Sequence, residues 1–273
     1  MFGVSHSGGL TNLLARWGDE LPLDAAFAEI SVEENPALHP DSLLHGLDEL
    51  AAHLHIPVES SPFEATARLN HHLFTELGFD STGWDDRDGY LLNDLLESRL
   101  GVPVSLCILT MEVSRRAGFP LTAIGFPTHC LVAPLYSSPT FYIDPARAGE
   151  VFNEDDLRER LHLSLGLMSH PSMWVDAIAP LTNRELIARL CETMKAMQLR
   201  TGDLDAALRS SERILQLVPS RLEELTDQGV LHVNLGRPEQ GAEALERYLA
   251  QRPYAPNAKE IVRQIGLLRG SRA

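Results

Sequence analysis

The stretch from residue 101 to residue 149 constrains the possible fold more than any other part of the sequence. A glycine–proline turn at its start is followed by apolar residues at helical spacing and by a basic, glycine-terminated helix end at 115–118. This pattern predicts a helix. Two short runs typical of β-strands follow, and they carry His129 and Asp144. The predicted order is therefore a helix start, a histidine on a strand and an aspartate on a strand.

Papain-like folds present a nucleophile, a base and an orienting acid in this same order. The nucleophile lies at the N-terminus of a helix, where the helix dipole favours a thiolate, and the acid orients the histidine. Here Ser105 occupies the predicted helix start, with His129 as base and Asp144 as orienter, and we expect a hydrogen bond between the last two. A hydroxyl is a weaker nucleophile than a thiol, and serine also suits a helix N-cap. Both roles stay open for Ser105.

Several short pieces of sequence, in their order and spacing, resemble the transglutaminase-like superfamily and, within it, the bacterial SirB-type family. These pieces are Leu69–Phe74, Gly78–Phe79, Gly101–Leu106, Glu112–Gly118, Phe126–His129 and Ile143–Pro145. The resemblance extends over residues 22–268. It implies an α+β, papain/transglutaminase-like domain followed by an all-α, tetratricopeptide-like helical array. Active transglutaminases have cysteine where Ser105 stands, whereas the SirB-type family commonly has serine, so the resemblance implies the fold without implying catalysis.

The predicted cleft also includes Asn93, which falls at a family position, and Cys107. Cys107 lies two positions after Ser105, which is about 200° further round a helix, so the two side chains are expected to face different sides. A buried structural thiol and a displaced nucleophile are the alternatives for Cys107. Thr110 departs from the family, which usually has an aromatic residue at that position.

The C-terminal part has a period of 34 residues, which separates Gly202 from Gly236 and Pro219 from Pro253. This is the period of the tetratricopeptide repeat, in which each unit is a pair of helices. The sequence therefore predicts two helix pairs and a capping helix, over 186–200 with 203–217, 221–235 with 238–251, and 257–268.

Composition narrows the classes of function. The 273-residue chain has a formal net charge of −15, which argues against nucleic-acid binding, because that requires Lys and Arg at the phosphates. No apolar run is long enough for a membrane span, and a signal peptide is not evident, so we expect a cytoplasmic protein without membrane contact. Three cysteines, Cys107, Cys130 and Cys191, are expected to be reduced. Without metal-ligand spacing or a phosphate loop, no metal or cofactor is predicted.

These observations predict an N-terminal tail over residues 1–21, a transglutaminase-like domain over 22–180 and a tetratricopeptide-like repeat domain over 183–273. The leading hypothesis is a non-catalytic or degenerate transglutaminase-like regulatory protein that binds a peptide or protein partner through its cleft and helical repeats. The alternative is a serine-dependent amidase, peptidase or acyl transferase that uses Ser105, His129 and Asp144. A third hypothesis is a scaffold in which the two domains only stabilise each other.

Overall fold

The computed structural model describes residues 9–82, 89–126, 130–136, 140–165 and 178–270. The chain divides into two compact units, one ending at Ile187 and the other beginning at Ala188. The first unit combines helices with a sheet, and the described part of the second unit is helical. The predicted α+β domain followed by an all-α array is therefore confirmed.

Most helices of the first unit precede its sheet along the chain. Those that precede it are α1 (Gly9–Trp17), α2 (Leu23–Glu34), α3 (Pro40–Ala52), α4 (Pro62–Asn70), α5 (Leu92–Ser98) and α6 (Pro103–Arg116), whereas α7 (Glu154–Leu165) follows most of the strands. A π-helical turn, His71–Glu76, continues α4. Helix α4 starts at a capping box in which Ser61 and Glu64 bond to each other's backbone N–H groups, as the spacing of the two residues favours. In the described ranges, none of the helices combines the length and apolar character needed to cross a lipid bilayer.

Within the described residues, seven short strands form two sheets. They are β1 (Asp80–Ser81), β2 (Leu100–Gly101), β3 (Leu121–Gly125), β4 (Cys130–Pro134), β5 (Tyr142–Asp144), β6 (Glu150–Phe152) and β7 (Pro180–Leu181). The main sheet is antiparallel with the order β6-β5-β4-β3-β7. Strands β1 and β2 pair in parallel directly before α6, and this small sheet positions the N-terminus of that helix.

Helix α6 is the centre of the first unit. All of its residues from Pro103 to Ser114 are buried, and it contacts α2, α3, β3 and β4. A helix buried on every side requires a sequence without a continuous polar stripe, which is why the run from Leu106 to Val113 is mostly apolar. Helix α7 packs on the sheet through a further apolar cluster of Leu157 with Ile124, Phe126, Leu131, Ala133 and Phe152.

Helix α1 lies in the segment that is predicted to be an N-terminal tail. Its Leu10 is 1% exposed, and the backbone N–H of Leu10 donates to Oε1 of Glu33 over 3.0 Å. Leu21, which follows the helix, is also buried. Residues 9–21 therefore pack onto the first unit instead of extending as a tail, because their leucines are part of its core. The other predicted domain limits stay predictions.

The second unit consists of successive helices that match the predicted repeat. They are α8 (Asn183–Thr201), α9 (Leu204–Leu217), α10 (Glu223–Asn234), α11 (Pro238–Gln251) and α12 (Ala258–Gly270), of which α8 begins in the first unit. Two glycines let α10 and α11 approach closely. A Cβ on Gly229 would lie 2.8 Å from Cδ2 of Leu245, and a Cβ on Gly241 would lie 2.9 Å from the carbonyl oxygen of Gly229.

A polar cluster joins α8, α9 and α10. Nζ of Lys195 lies 2.6 Å from Oε2 of Glu224 and 2.9 Å from Oδ2 of Asp227. The hydroxyl of Ser211 donates to the same Glu224 oxygen over 2.6 Å. Glu224 is buried, and a buried carboxylate requires such compensation.

Candidate functional site

Helix α6 begins two residues before the predicted start. Pro103 is its first residue and Val102 occupies the N-cap position, where no side chain caps the helix. Proline is common at the first position of a helix, because its ring fixes φ at a helical value and it has no N–H group that needs an acceptor. Ser105 is therefore the third helical residue, and the predicted N-cap role for Ser105 is wrong.

The hydroxyl of Ser105 is buried and forms hydrogen bonds with backbone carbonyl groups. Its Oγ lies 2.6 Å from the carbonyl oxygen of Gly89 and 2.9 Å from that of Val102, and the side chain is 0% exposed. The Gly89 carbonyl also accepts the N–H of Val102 over 3.2 Å. A Cβ on Gly101 would lie 2.9 Å from the Ser105 Oγ, so only a residue without a side chain fits beside the hydroxyl. Ser105 thus fastens the backbone at residue 89 to the start of α6.

Cys107 points in a different direction from Ser105, as the helical geometry predicts. It is fully buried between α6 and β4, and its thiol donates to the carbonyl oxygen of Cys130 over 3.1 Å. This is the geometry of a buried structural thiol, one of the two alternatives for this residue. Cys107, Cys130 and Cys191 are all buried and free of disulfides.

His129 lies outside the described residues, so its hydrogen bond to Asp144 stays a prediction. The strand that follows it, β4, begins at Cys130 and pairs with β5 through Val132 and Ile143. The contact between Cys107 and Cys130 brings the residue after His129 next to the second turn of α6. Strand β4, which directly follows the predicted base His129 in sequence, is therefore adjacent to the helix that carries Ser105.

Asp144 ends β5 and is buried. Its Oδ1 accepts the N–H of Ala146 over 3.0 Å and so caps the 3-10 turn Pro145–Arg147, while its Oδ2 lies 3.8 Å from Nε of Arg147. That turn contacts both α6 and β1. Asp144 thus ends a strand whose following turn contacts the helix that carries Ser105. The grouping of Ser105, His129 and Asp144 as a triad stays a prediction.

Asn93 lies in the first turn of α5 and is half-buried. Its Nδ2 donates to Oδ1 of Asp94 over 2.7 Å. Its own Oδ1 is buried and has no hydrogen-bond partner among the residues that the structure describes.

A cavity of about 620 Å³ lies beside Asp144. Apolar side chains of Phe126, Leu131 and Phe152 form part of its lining, and charged groups of both signs form the rest. Its other lining residues are Arg147, Glu150, Val151, Asp156, Leu157, Glu159, Arg160 and Leu163. Asp144 therefore reaches this cavity, whereas Ser105, Asn93 and Cys107 do not line its described walls. Within the described ranges, no three His, Cys, Asp or Glu side chains are grouped to hold a metal ion.

Asn70 is a positioning residue that was not predicted from its chemistry. Its Nδ2 donates to the carbonyl oxygen of Gly149 over 2.6 Å, and this bond links the end of α4 to the turn after Asp144. Gly149 has a φ of 75°, and a Cβ there would lie 2.3 Å from Cγ of Asn70. Only its place within a family-like piece of sequence singled out Asn70.

A buried ion cluster lies at the end of α6. Arg115 and Arg116 pair with acidic residues, and Nη1 of Arg116 lies 2.6 Å from Oε2 of the buried Glu112. Nη2 of Arg116 also lies 2.8 Å from Oδ2 of Asp24 in α2, and its Nε lies 2.7 Å from Oδ1 of Asp48 in α3. Burial raises the pKa of Glu112, against the hydrogen bond from Arg115 that lowers it. The spacing of Glu112 to the two arginines was the available signal.

Comparison with known proteins agrees with the fold and with the resemblance. The family model described as transglutaminase-like superfamily matches residues 41–192, and the model described as tetratricopeptide repeat matches residues 194–266. A UPF0162 protein of Xylella fastidiosa (strain 9a5c) is 32% identical in an alignment of 260 residues that covers 92% of this chain and 92% of that protein.

Protein SirB1 of Salmonella typhimurium is 26% identical over 208 residues, which are 75% of this chain and 76% of SirB1. A crystal structure of menin covers 95% of this chain and 69% of its own, with a TM-score of 0.48 and 10% identity, which is too low to assign a shared fold or function. By the family model and by the bacterial relatives, the chain belongs to the transglutaminase-like superfamily, in the group that includes the UPF0162 and SirB1 proteins.

Proposed function

We propose that this protein is a non-catalytic member of its superfamily that binds a protein or peptide partner. The observation that carries the proposal is the environment of Ser105. Its hydroxyl is inaccessible to solvent and directs its hydrogen toward the carbonyls of Gly89 and Val102. A nucleophile must instead present its oxygen to the substrate and its proton to a base.

The start of α6 supports the same conclusion. The helix dipole activates a group at the first exposed positions of a helix, and the first residue of α6 is Pro103, which has no reactive group. Cys107, in the next turn, is fully buried against β4. Neither residue supplies an accessible nucleophile, so binding is the better use of the cavity beside Asp144.

The helical array supports binding of a protein partner. Tetratricopeptide repeats generally mediate protein–protein interaction. In this chain an apolar hollow of about 230 Å³ lies among α10, α11 and α12, with Val230, Val233, Leu245 and Leu267 in its lining. Val230 is 59% exposed and Leu267 is 64% exposed, so these side chains are available to a partner.

Labelling with a fluorophosphonate probe tests the absence of catalysis. We expect no labelling of the wild-type chain under conditions that label an active serine hydrolase. Ser105→Ala and His129→Ala serve as the site variants, and Ser114→Ala is the matched control because Ser114 is also a buried serine of α6 that bonds to a carbonyl. Labelling that disappears in both site variants and persists in Ser114→Ala would establish the serine-enzyme alternative.

Affinity capture tests the binding role. The double variant Val230→Glu and Leu267→Glu places two charges in the hollow of the array, and we expect it to lose the proteins that the wild-type chain captures. Val58→Glu is the control, because Val58 is a fully exposed apolar residue of the first unit. Identical captured proteins from all three chains would contradict a binding role for this hollow.

A further inference from the structure

We propose that a hollow bordered by α3, α5 and the end of the π-helical turn binds a small aliphatic carboxylate, with Arg99 as the anion-binding residue. The hollow encloses about 400 Å³, and Leu50, Leu77 and Leu96 are among its walls. Small-molecule sites have this range of volume and combine apolar walls with a few polar groups. The hollow is separate from the cavity beside Asp144, and the inference does not depend on the function proposed above.

The backbone of Arg99 adopts a conformation that glycine usually takes. Arg99 follows the last residue of α5 with a φ of 63°, in the left-handed region, which is unfavourable for a residue with a Cβ. Its N–H donates to the carbonyl of Leu95 over 3.1 Å, and its own carbonyl accepts the N–H of Asp80 over 3.0 Å. Glycine would make both backbone bonds with less strain. The presence of arginine therefore points to a use for the side chain.

The guanidinium of Arg99 is held in place but is not fully hydrogen-bonded. Its Cζ lies 4.9 Å from the centre of the Phe79 ring, a cation–π contact that orients the group. Its Nη1 is buried and has no hydrogen-bond partner in the described part of the chain. The guanidinium as a whole has no hydrogen-bond acceptor among the described residues, and an anion that enters the hollow lined by Arg99 would supply one.

The guanidinium of Arg99 has no acidic partner among the described residues, although the first unit is rich in carboxylates. Residues 1–187 contain 10 Lys and Arg against 27 Asp and Glu, and Arg116, for example, pairs with several of them. Among the described residues, Arg99 forms no ion pair. Glu49, at the rim of the hollow, instead contacts His45 over 3.4 Å. The guanidinium of Arg99 can therefore pair with an acceptor from outside the described residues.

The chemistry of the walls defines the ligand class. The planar fork of a guanidinium matches the two oxygens of a carboxylate, and the three leucines match an aliphatic chain of a few carbons. Gly46 contributes to this shape, because a Cβ there would lie 2.8 Å from Cδ1 of Leu96 and would displace that wall. A free aliphatic acid and the C-terminal residue of a peptide share this chemistry.

Calorimetric titration of the full chain with hexanoate and hexanamide tests the inference. We expect saturable binding of hexanoate and at least about 10-fold weaker binding of the neutral amide, because hydrogen bonds to charged groups contribute this much. N-acetylleucine and its amide form a second pair. Stronger binding of N-acetylleucine than of hexanoate indicates a peptide C-terminus, and the reverse indicates a free acid. Equal binding of acid and amide in both pairs, or no saturable binding of either acid, overturns the inference.

Two variants make the test specific to the hollow. Arg99→Asn removes the guanidinium with a residue that tolerates the left-handed backbone, and we expect hexanoate to bind at least about 10-fold more weakly. Leu96→Trp fills the hollow and should abolish binding, which decides the matter if Arg99→Asn does not fold. Arg68→Gln removes an exposed arginine of α4 and should leave binding unchanged. Wild-type binding in either hollow variant, or equal weakening in Arg68→Gln, overturns the inference.

Discussion

The Ser105 hydroxyl and the Gly89 carbonyl oxygen lie 2.6 Å apart, sixteen residues from each other in sequence. The N–H of Val102 donates to the same carbonyl over 3.2 Å. Two donors from the start of α6 therefore converge on one backbone acceptor. This contact gives Ser105, at the position expected for the catalytic nucleophile, a structural role.

Ser105→Ala should destabilise the first unit by about 1 kcal/mol, because one buried hydrogen bond to the Gly89 carbonyl is lost while the bond from Val102 remains. Urea unfolding of the full chain, followed by circular dichroism, measures the change. Thr110→Val is the matched control in the same helix. The Thr110 Oγ1 is buried and has no partner among the described residues, so its removal should be neutral or stabilising. Equal losses in both variants would contradict a specific role for the Ser105 bond.

Glu112→Ala should destabilise the protein by about 2 kcal/mol. Removal of one partner from a buried ion cluster leaves the remaining charges uncompensated, and the loss is moderated here because Arg116 keeps Asp24 and Asp48. Glu260→Ala is the control, since the Glu260 pair with Arg263 is at the surface and surface pairs contribute little. Thermal unfolding compares the two variants, and a larger loss in Glu260→Ala would refute the expectation.

The stability that depends on Glu112 should fall as the pH rises. Burial raises the pKa of Glu112 in the folded state above its ordinary value of 4.5, so the folded protein binds the proton more tightly than the unfolded chain does. The contribution is complete below pH 4.5 and is lost as the pH increases through the folded pKa. Urea titrations across this range should show the unfolding free energy of the wild type falling relative to that of Glu112→Gln as the pH increases, because glutamine does not titrate. A wild type that gains stability relative to Glu112→Gln with increasing pH would show that the arginines outweigh burial.

Asn70→Ala should loosen the turn that follows Asp144 and reduce stability by roughly 1–2 kcal/mol, because the Gly149 carbonyl loses its donor. Gly149→Ala should be more damaging, since it adds both backbone strain at a φ of 75° and a contact with Asn70. A double-mutant cycle measures the coupling between the two positions. We expect Asn70→Ala to relieve part of the Gly149→Ala loss, and strict additivity would argue against direct contact.

Lys195→Ala should destabilise the helical array by about 3 kcal/mol, because Glu224 would stay buried without its cation. Lys259→Ala, at an exposed lysine of α12, controls for the loss of a positive charge. In thermal unfolding of the full chain, the temperature of the transition assigned to the array should be lower in Lys195→Ala and unchanged in Lys259→Ala. The double variant Lys195→Met with Glu224→Leu should recover part of the stability, because apolar replacements remove both buried charges together.

The array was the most predictable part of the fold. A period of 34 residues, with Gly202 and Gly236 at equivalent turns, leaves little freedom in where the helices begin and end. Helix α6 was also predicted, since apolar spacing and a glycine-terminated end are local signals. Its start was misplaced because proline at the first helical position moves the N-terminus ahead of Ser105.

Other features depend on tertiary contacts that local sequence does not record. The apolar spacing over residues 10–17 is consistent with the short helix α1, but it does not show that Leu10 packs in the core of the first unit. Arg99 takes a left-handed conformation where the usual signal is glycine. The bond from Ser105 to Gly89 spans a loop, so only the folded chain reveals it. The role of His129, outside the described residues, stays a prediction from motif order.

The contact between Ser105 and Gly89 also has an evolutionary consequence. A cysteine at position 105 would bring a larger atom and a weaker hydrogen-bond donor into a site with no free space beside Gly101. A thiol at this position would therefore lower the stability of the first unit, whatever its effect on chemistry. Selection for folding alone is then sufficient to favour serine at position 105.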